Sequence, residues 1–201
     1  MRRERTHTFA GGTRHIAIAT LALALGAAMA VVLVVAGGAG GSSPVTRTYS
    51  SGAVHPKIPN PGTVIQKIHV PDNGEIKDVN ARVRLSHGRV GDVTLILQHP
   101  FGRTVLLAAN EGGDGGDYGG GTPDCDGDLT SFSDEAAASI ADDANTPPFV
   151  GAFRPEQALT RLDGKRILGD WRLIVADSDG TGTPEGMIHC AILRFRYSPR
   201  P

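Results

Sequence analysis

Hydrophobic and polar residues alternate strictly from Val79 to Ser86. Val79, Ala81, Val83 and Leu85 fall on one side, and Asn80, Arg82, Arg84 and Ser86 on the other. A period of two marks a strand buried on one face, so this spacing predicts a strand that closes at His87. A short connection holding Gly88 and Gly91 leads to a second run, Val93, Leu95 and Leu97, ended by a turn at Pro100 and Gly102. These two runs are expected to pair with each other. Upstream, residues 45–62 are poor in core formers and carry Pro56, Pro59 and Pro61, which predicts an extended lead-in; Ile65, Ile68 and Val70 then mark a first strand, and Pro71-Asp72-Asn73-Gly74 a turn. Downstream, Thr104–Ala109 reads as a strand with Val105 and Leu107 on one face. Gly169–Asp177 reads as another, with Trp171, Leu173 and Val175 buried, and the last strand places Ile188 early, then Ala191, Leu193 and Phe195 at period two.

Between Asn110 and Asn145 the texture changes: glycine is concentrated at 112–121, and no regular element is expected beyond one helical turn at Ala136–Ile140, capped by Ser133 or Asp134. Seven or eight short strands without an amphipathic helix predict an all-β fold, an antiparallel β-sandwich of jelly-roll type. The 157 residues from 45 onward suffice for one core. Gly at 27, Pro at 13 and only 5% aromatics fit short strands and tight turns.

The net charge of -1 hides a split. Four arginines (Arg2, Arg3, Arg5, Arg14) accompany Glu4 at the amino end, whereas residues 45–201 hold 16 Lys and Arg against 20 Asp and Glu. An acidic body without clustered cations argues against nucleic acid as a partner. Residues 16–36 carry no charge and are rich in Ala, Leu and Val, long enough to span the roughly 30 Å hydrocarbon core. The flanking arginines predict a cytoplasmic amino end. The expected organisation is a basic tail at 1–15, a transmembrane helix at 16–36, a Gly/Ser/Pro linker at 37–57 and the sandwich at 58–197. The protein then sits in the cell membrane with its body outside the cytoplasm, or is secreted if the apolar segment is a cleaved signal sequence, although that segment exceeds the usual signal core.

Cys125 and Cys190 form an even count on an exported chain, which favours a disulfide over two separate thiols or an inter-chain bond. Residues 110–145 carry ten acidic residues and no Lys or Arg. Asp124, Asp126 and Asp128 alternate, with Glu135 eleven residues after the first, the carboxylate spacing of a calcium loop, but Leu129 occupies the position where such a loop needs glycine. A structural Ca2+ is therefore expected on Asp124, Asp126, Asp128 and Glu135, with Asp177 and Asp179 as a second candidate pair. A solvated acidic loop is the plainer reading. Ser86, His69, His87 and His99 raise the question of a serine-histidine-aspartate assembly, yet no serine sits in a nucleophile-elbow pattern. The histidines also lack zinc-type spacing.

Four blocks in order resemble the P domain, or Homo B domain, that accompanies the catalytic domain of kexin- and furin-like subtilisin proteases. They are Ser86-His87 with Gly91–Leu97 and His99–Thr104; Phe132–Ala136; Gly151–Pro155 with Leu159 and Leu162–Gly164; and Gly169–Trp171 with Val175, Asp177, Gly186, Ile188, Leu193 and Phe195. Ala191 departs from the family, which usually has Trp in the final strand. The resemblance implies a non-catalytic jelly-roll module that packs on a serine endopeptidase and stabilises it. The protease domain is missing, since no Gly-Thr-Ser nucleophile segment is present. The implied function is therefore a stabilising or interaction module in proteolysis, with a subtilisin-like protease or another envelope protein as partner. The alternative is a calcium-stabilised adhesion or ligand-binding jelly roll, to which Tyr118, Phe149 and Phe153 contribute locally. No catalytic constellation is found on this chain.

Overall fold

The computed structural model describes residues 43–178, 180 and 186–201. They form two facing sheets. The strands are β1 (Val45–Ser50), β2 (Lys57–Ile58), β3 (Gly62–Val70), β4 (Gly74–Ser86), β5 (Val93–Gln98), β6 (Thr104–Ala109), β7 (Thr130–Phe132), β8 (Ala138–Ser139), β9 (Gly151–Arg154), β10 (Gly169–Asp177) and β11 (Gly186–Pro199). The larger sheet runs β1-β11-β4-β7-β9-β8, with β2 also on β11; the smaller runs β3-β10-β5-β6.

The alternation at 79–85 and 93–97 does make two strands, but they do not pair. β4 belongs to the larger sheet and β5 to the smaller, and the turn Val90–Asp92 carries the chain from one to the other. Their buried rows meet across the interior instead of lying side by side. Pro71–Gly74 is likewise a crossing between sheets and not a hairpin. At Gly74 an added Cβ would stand 2.3 Å from the Tyr197 ring, so only glycine lets β4 begin there.

Several expectations are corrected by pairing partners far along the chain. Residues 45–50, expected as an extended lead-in, are an edge strand bonded to β11 from Val45↔Tyr197 to Ser50↔Ile192. Ile65 points outward at 50% exposure, while Ile68 and Val70 are buried. Ala136–Ile140 is not a helical turn: Ala138–Ser139 pairs with β9. The antiparallel rule also breaks at β9, which runs parallel to both β7 and β8.

Where the buried row changes parity, the register slips. Ile76 and Val79 are both buried because one residue is extra between the pairs Tyr197↔Ile76 and Arg196↔Asp78; a second slip separates Ile188 and Cys190. Each bulge returns the next aliphatic to the core. The interior centres on Trp171 of β10, fully buried, whose ring lies 5.0 Å from that of Phe195 in β11. Its Nε1–H donates to the Ile167 carbonyl at 2.7 Å, so the indole is buried without an orphaned donor. Ala191 is buried in the same core. The segment 16–36 lies outside the described residues, and among the described ones no helix is long and apolar enough to cross a membrane.

His99 packs edge-on against Trp171 at 4.8 Å. Its Nδ1 accepts from the Phe101 amide at 3.1 Å, so its Nε2–H donates to the Arg166 carbonyl at 2.8 Å. Burial holds its pKa below the usual 6.5. The unfolded chain therefore binds the proton more readily than the folded one, and stability that is full above about 6.5 falls as pH drops towards the depressed folded value. Urea unfolding between pH 5 and 7 should show stability rising with pH, and His99→Gln should flatten that slope. An unchanged slope in the variant would assign the effect elsewhere.

Candidate functional site

The end of the sandwich where β4 and β10 finish gathers most of the buried polar chemistry. His87 follows β4, and its Nε2–H donates to Oδ2 of Asp177, the last residue of β10, at 3.1 Å; both side chains are essentially fully buried. The other ring nitrogen lies 3.2 Å from the Arg89 amide and 2.8 Å from its carbonyl. This pair joins the two sheets. Losing a buried hydrogen bond of this kind costs about 1–3 kcal/mol, a structural role for Asp177, which is also a candidate calcium ligand. Asp117 of the acidic segment braces the same corner, accepting from the His87 amide at 3.0 Å and from Arg84 at 3.3 Å.

The other acidic residues are dispersed among local tasks. Asp124 Oδ1 accepts from the Thr122 hydroxyl and from the amides of Asp126 and Gly127 at 2.9–3.1 Å, and these bonds hold its pKa below the usual value. Asp128 exchanges backbone bonds with Gly120. Glu135 accepts from Ser133 at 2.6 Å. Asp179 lies outside the described residues. Among the described residues no group of three or more His, Cys, Asp or Glu side chains stands together to hold a metal ion. Asp134, expected to cap a helical turn at 136, caps another: its two oxygens accept from the amides of Leu159 and Thr160, both at 2.8 Å, at the start of the turn Leu159–Leu162.

Cys125 and Cys190 are disulfide-bonded, with Cα atoms 5.2 Å apart. The bridge packs with Leu129 and Ile192 in a small apolar cluster separate from the main core, and it pins the acidic segment to β11. Tyr118, Phe149 and Phe153 are buried at 0%, 1% and 7% exposure and contact one another's rings in series. They are core residues that fasten this segment, not exposed rings of the ligand-binding surface expected above.

A serine and a histidine do meet: Ser86, as the sequence singled out, but with a histidine other than His69, His87 or His99. Ser86 Oγ lies 2.9 Å from His189 Nε2. The second nitrogen of His189 faces His55 Nδ1 at 3.4 Å instead of a carboxylate, so the third member of a triad is lacking. Burial first, then the Arg84 guanidinium and His55, hold the His189 pKa below the usual range. The one sequence signal for His189 was the parity change between Ile188 and Ala191, which marks the bulge. His55 gave none. Elsewhere, Glu111, Asp142 and Asp143 line a cleft of about 200 Å³, and burial raises the Glu111 pKa, reinforced by Glu156 and Asp143.

The outer face of the smaller sheet is banded. Ile65, Ile174, Ile96 and Leu106 stand directly opposite one another across four strands, and the next row holds Lys67, Arg172, Gln98 and Thr104. An aliphatic stripe beside two cations is thus presented to solvent on an otherwise acidic domain.

The family model described as the proprotein convertase P-domain matches residues 76–189. Among solved structures, the chain is similar to the Aeromonas sobria serine protease in complex with the chaperone ORF2, at 15% identity, covering 78% of this chain and 27% of that one, with a TM-score of 0.49. It is also similar to the Aeromonas sobria serine protease, at 15% identity and 77% and 27% coverage, with a TM-score of 0.47. The chain thus spans about a quarter of the length of either structure. No curated protein matches it.

Closing a loop of 65 residues with the disulfide stabilises the fold by about 4 kcal/mol in the chain-entropy account. Cys125→Ala should forfeit most of that in urea unfolding under oxidising conditions, and adding Cys190→Ala should cost far less than a second such loss. Two losses that simply add would separate the cysteines energetically.

Proposed function

The chain belongs to the proprotein convertase P-domain family, and on that premise we propose that it is a non-catalytic jelly-roll module that docks on a subtilisin-like serine endopeptidase and stabilises it in trans. The family match over 76–189 carries this reading. The module acts outside the cytoplasm, held at the membrane by residues 16–36 or released when that segment is cleaved. Docking on a protease needs a surface, and the band on the smaller sheet suits that task. Its aliphatic row, Ile65, Ile174, Ile96 and Leu106, lies beside Lys67 and Arg172, which fits an apolar ridge flanked by carboxylates on the partner. Shape and charge arranged in this way favour one orientation of docking. Ser86 and His189 do not argue for catalysis on this chain: His189 is only 6% exposed, and its other nitrogen meets a second imidazole.

The full chain should lengthen the thermal half-life of a subtilisin-like protease from the same cell, measured by residual peptidase activity. Ile65→Asp, at a half-exposed position, should leave the melting temperature of this chain unchanged and weaken that protection at least tenfold. A protease half-life indifferent to the chain at saturating concentration would overturn the accessory role. Equal protection by the variant would displace the docking face while leaving the role intact.

A further inference from the structure

Five histidines lie among the described residues, and the fold brings two of them, 134 positions apart, ring to ring. His189 is the extra residue of the bulge in β11, where Ile188 pairs with Leu85 and Cys190 with Arg84. Released from the pairing register, its ring turns against Ser86, and the next residue is fixed by the disulfide. Bulges of this kind re-aim a single side chain. His55 lies in the segment between β1 and β2, which is bonded to the same strand on both sides of it. The Ser51 amide donates to the Ala191 carbonyl at 2.9 Å, Val54 to His189 at 3.0 Å, and Ile188 to Pro56 at 3.1 Å. Both rings are therefore carried on backbone that hydrogen bonds hold in place.

The Nδ1 atoms stand 3.4 Å apart, with the rings at 65°. That is longer than a good N–H hydrogen bond, whose donor–acceptor distance is about 2.7–3.2 Å. Two nitrogens on one tetrahedral metal, each about 2.0–2.1 Å from it, stand about 3.4 Å from each other. Ser86 completes the arrangement. With Oγ at 2.9 Å from Nε2, it can accept the Nε2 proton, and in that tautomer the Nδ1 lone pair of His189 is directed at His55. A hydrogen bond of this kind on the far nitrogen is what orients metal-binding imidazoles.

We propose that His55 and His189 bind one borderline divalent transition ion of the Zn2+ or Cu2+ class through their Nδ1 atoms, with Ser86 as the positioning residue. Imidazole donors select such ions over Ca2+. Water fills the remaining positions, so the ion keeps two protein ligands. Bound there, the ion staples the segment between β1 and β2 to β11. The site is independent of the protease reading, since it requires no partner.

The test is titration of ZnCl2 into the metal-stripped full chain, followed by calorimetry and melting temperature, with Co2+ absorption to report coordination. One equivalent should bind with a rise in melting temperature, and Co2+ should give the visible bands of a low-coordinate nitrogen site. His55→Ala, at an exposed position, should weaken binding at least tenfold without loss of fold. Ser86→Ala should weaken it by roughly 10–100-fold, as loss of an orienting partner does, while His69→Ala on the opposite sheet should change nothing. Absence of saturable binding, or a His55→Ala chain that binds as the parent does, would overturn the site and leave a histidine contact alone.

Discussion

The strand at the carboxyl end carries the architecture. β11 pairs with β4 from Met187↔Ser86 to Pro199↔Gly74 and with β1 over six further positions, and it takes β2 at its start. Its inward row, Ile188, Ala191, Leu193 and Phe195, forms one wall of the interior and meets Trp171 of the facing sheet. Without β11 the larger sheet would lose the link between its first strands and β4, and Trp171 would lose a wall. Removing a buried tryptophan side chain costs about 3–5 kcal/mol where the site cannot collapse, comparable to a sizeable part of a domain's whole stability.

The rest of the molecule is fastened to that frame by a few specific links. At one end the buried His87–Asp177 pair ties the last turn of β4 to the last residue of β10. On the side of the larger sheet, the disulfide and Tyr118 hold the acidic segment, which has almost no regular structure of its own. At the opposite end Tyr49 and Tyr197 both donate to Asp72, and Arg47 pairs with the same carboxylate, so the edge strand β1 is tied to the connection between the sheets. Each link spans a long stretch of sequence, and each joins an element that local propensity alone leaves unplaced.

That distance along the chain decides what could be read from the sequence. The strands at 79–85, 93–97, 104–109 and 169–177 were legible because alternation is a local property, and Trp171, Leu173 and Val175 fell on the buried face as their spacing required. Pairing was not legible: proximity suggested that β4 and β5 are neighbours, whereas a bend between sheets makes them opposite walls. β1 escaped notice because its side chains are mostly exposed, leaving no alternation to see. Asp134 was recognised as a cap, but its target lies 25 residues on. The cysteine pair followed from counting and compartment. The histidine pair could not follow from spacing at all, since a bulge in β11 and the chain-distant segment between β1 and β2 create it.

The two sheets are expected to form a single cooperative body built on β11. Native-state hydrogen exchange of the full chain reads this directly, residue by residue. Amides of β4, β10 and β11 should exchange most slowly and share one opening free energy, equal to that of global unfolding. If β3, β10, β5 and β6 instead open together at markedly lower free energy while β11 and β4 stay protected, the sheets are separable and the claim fails.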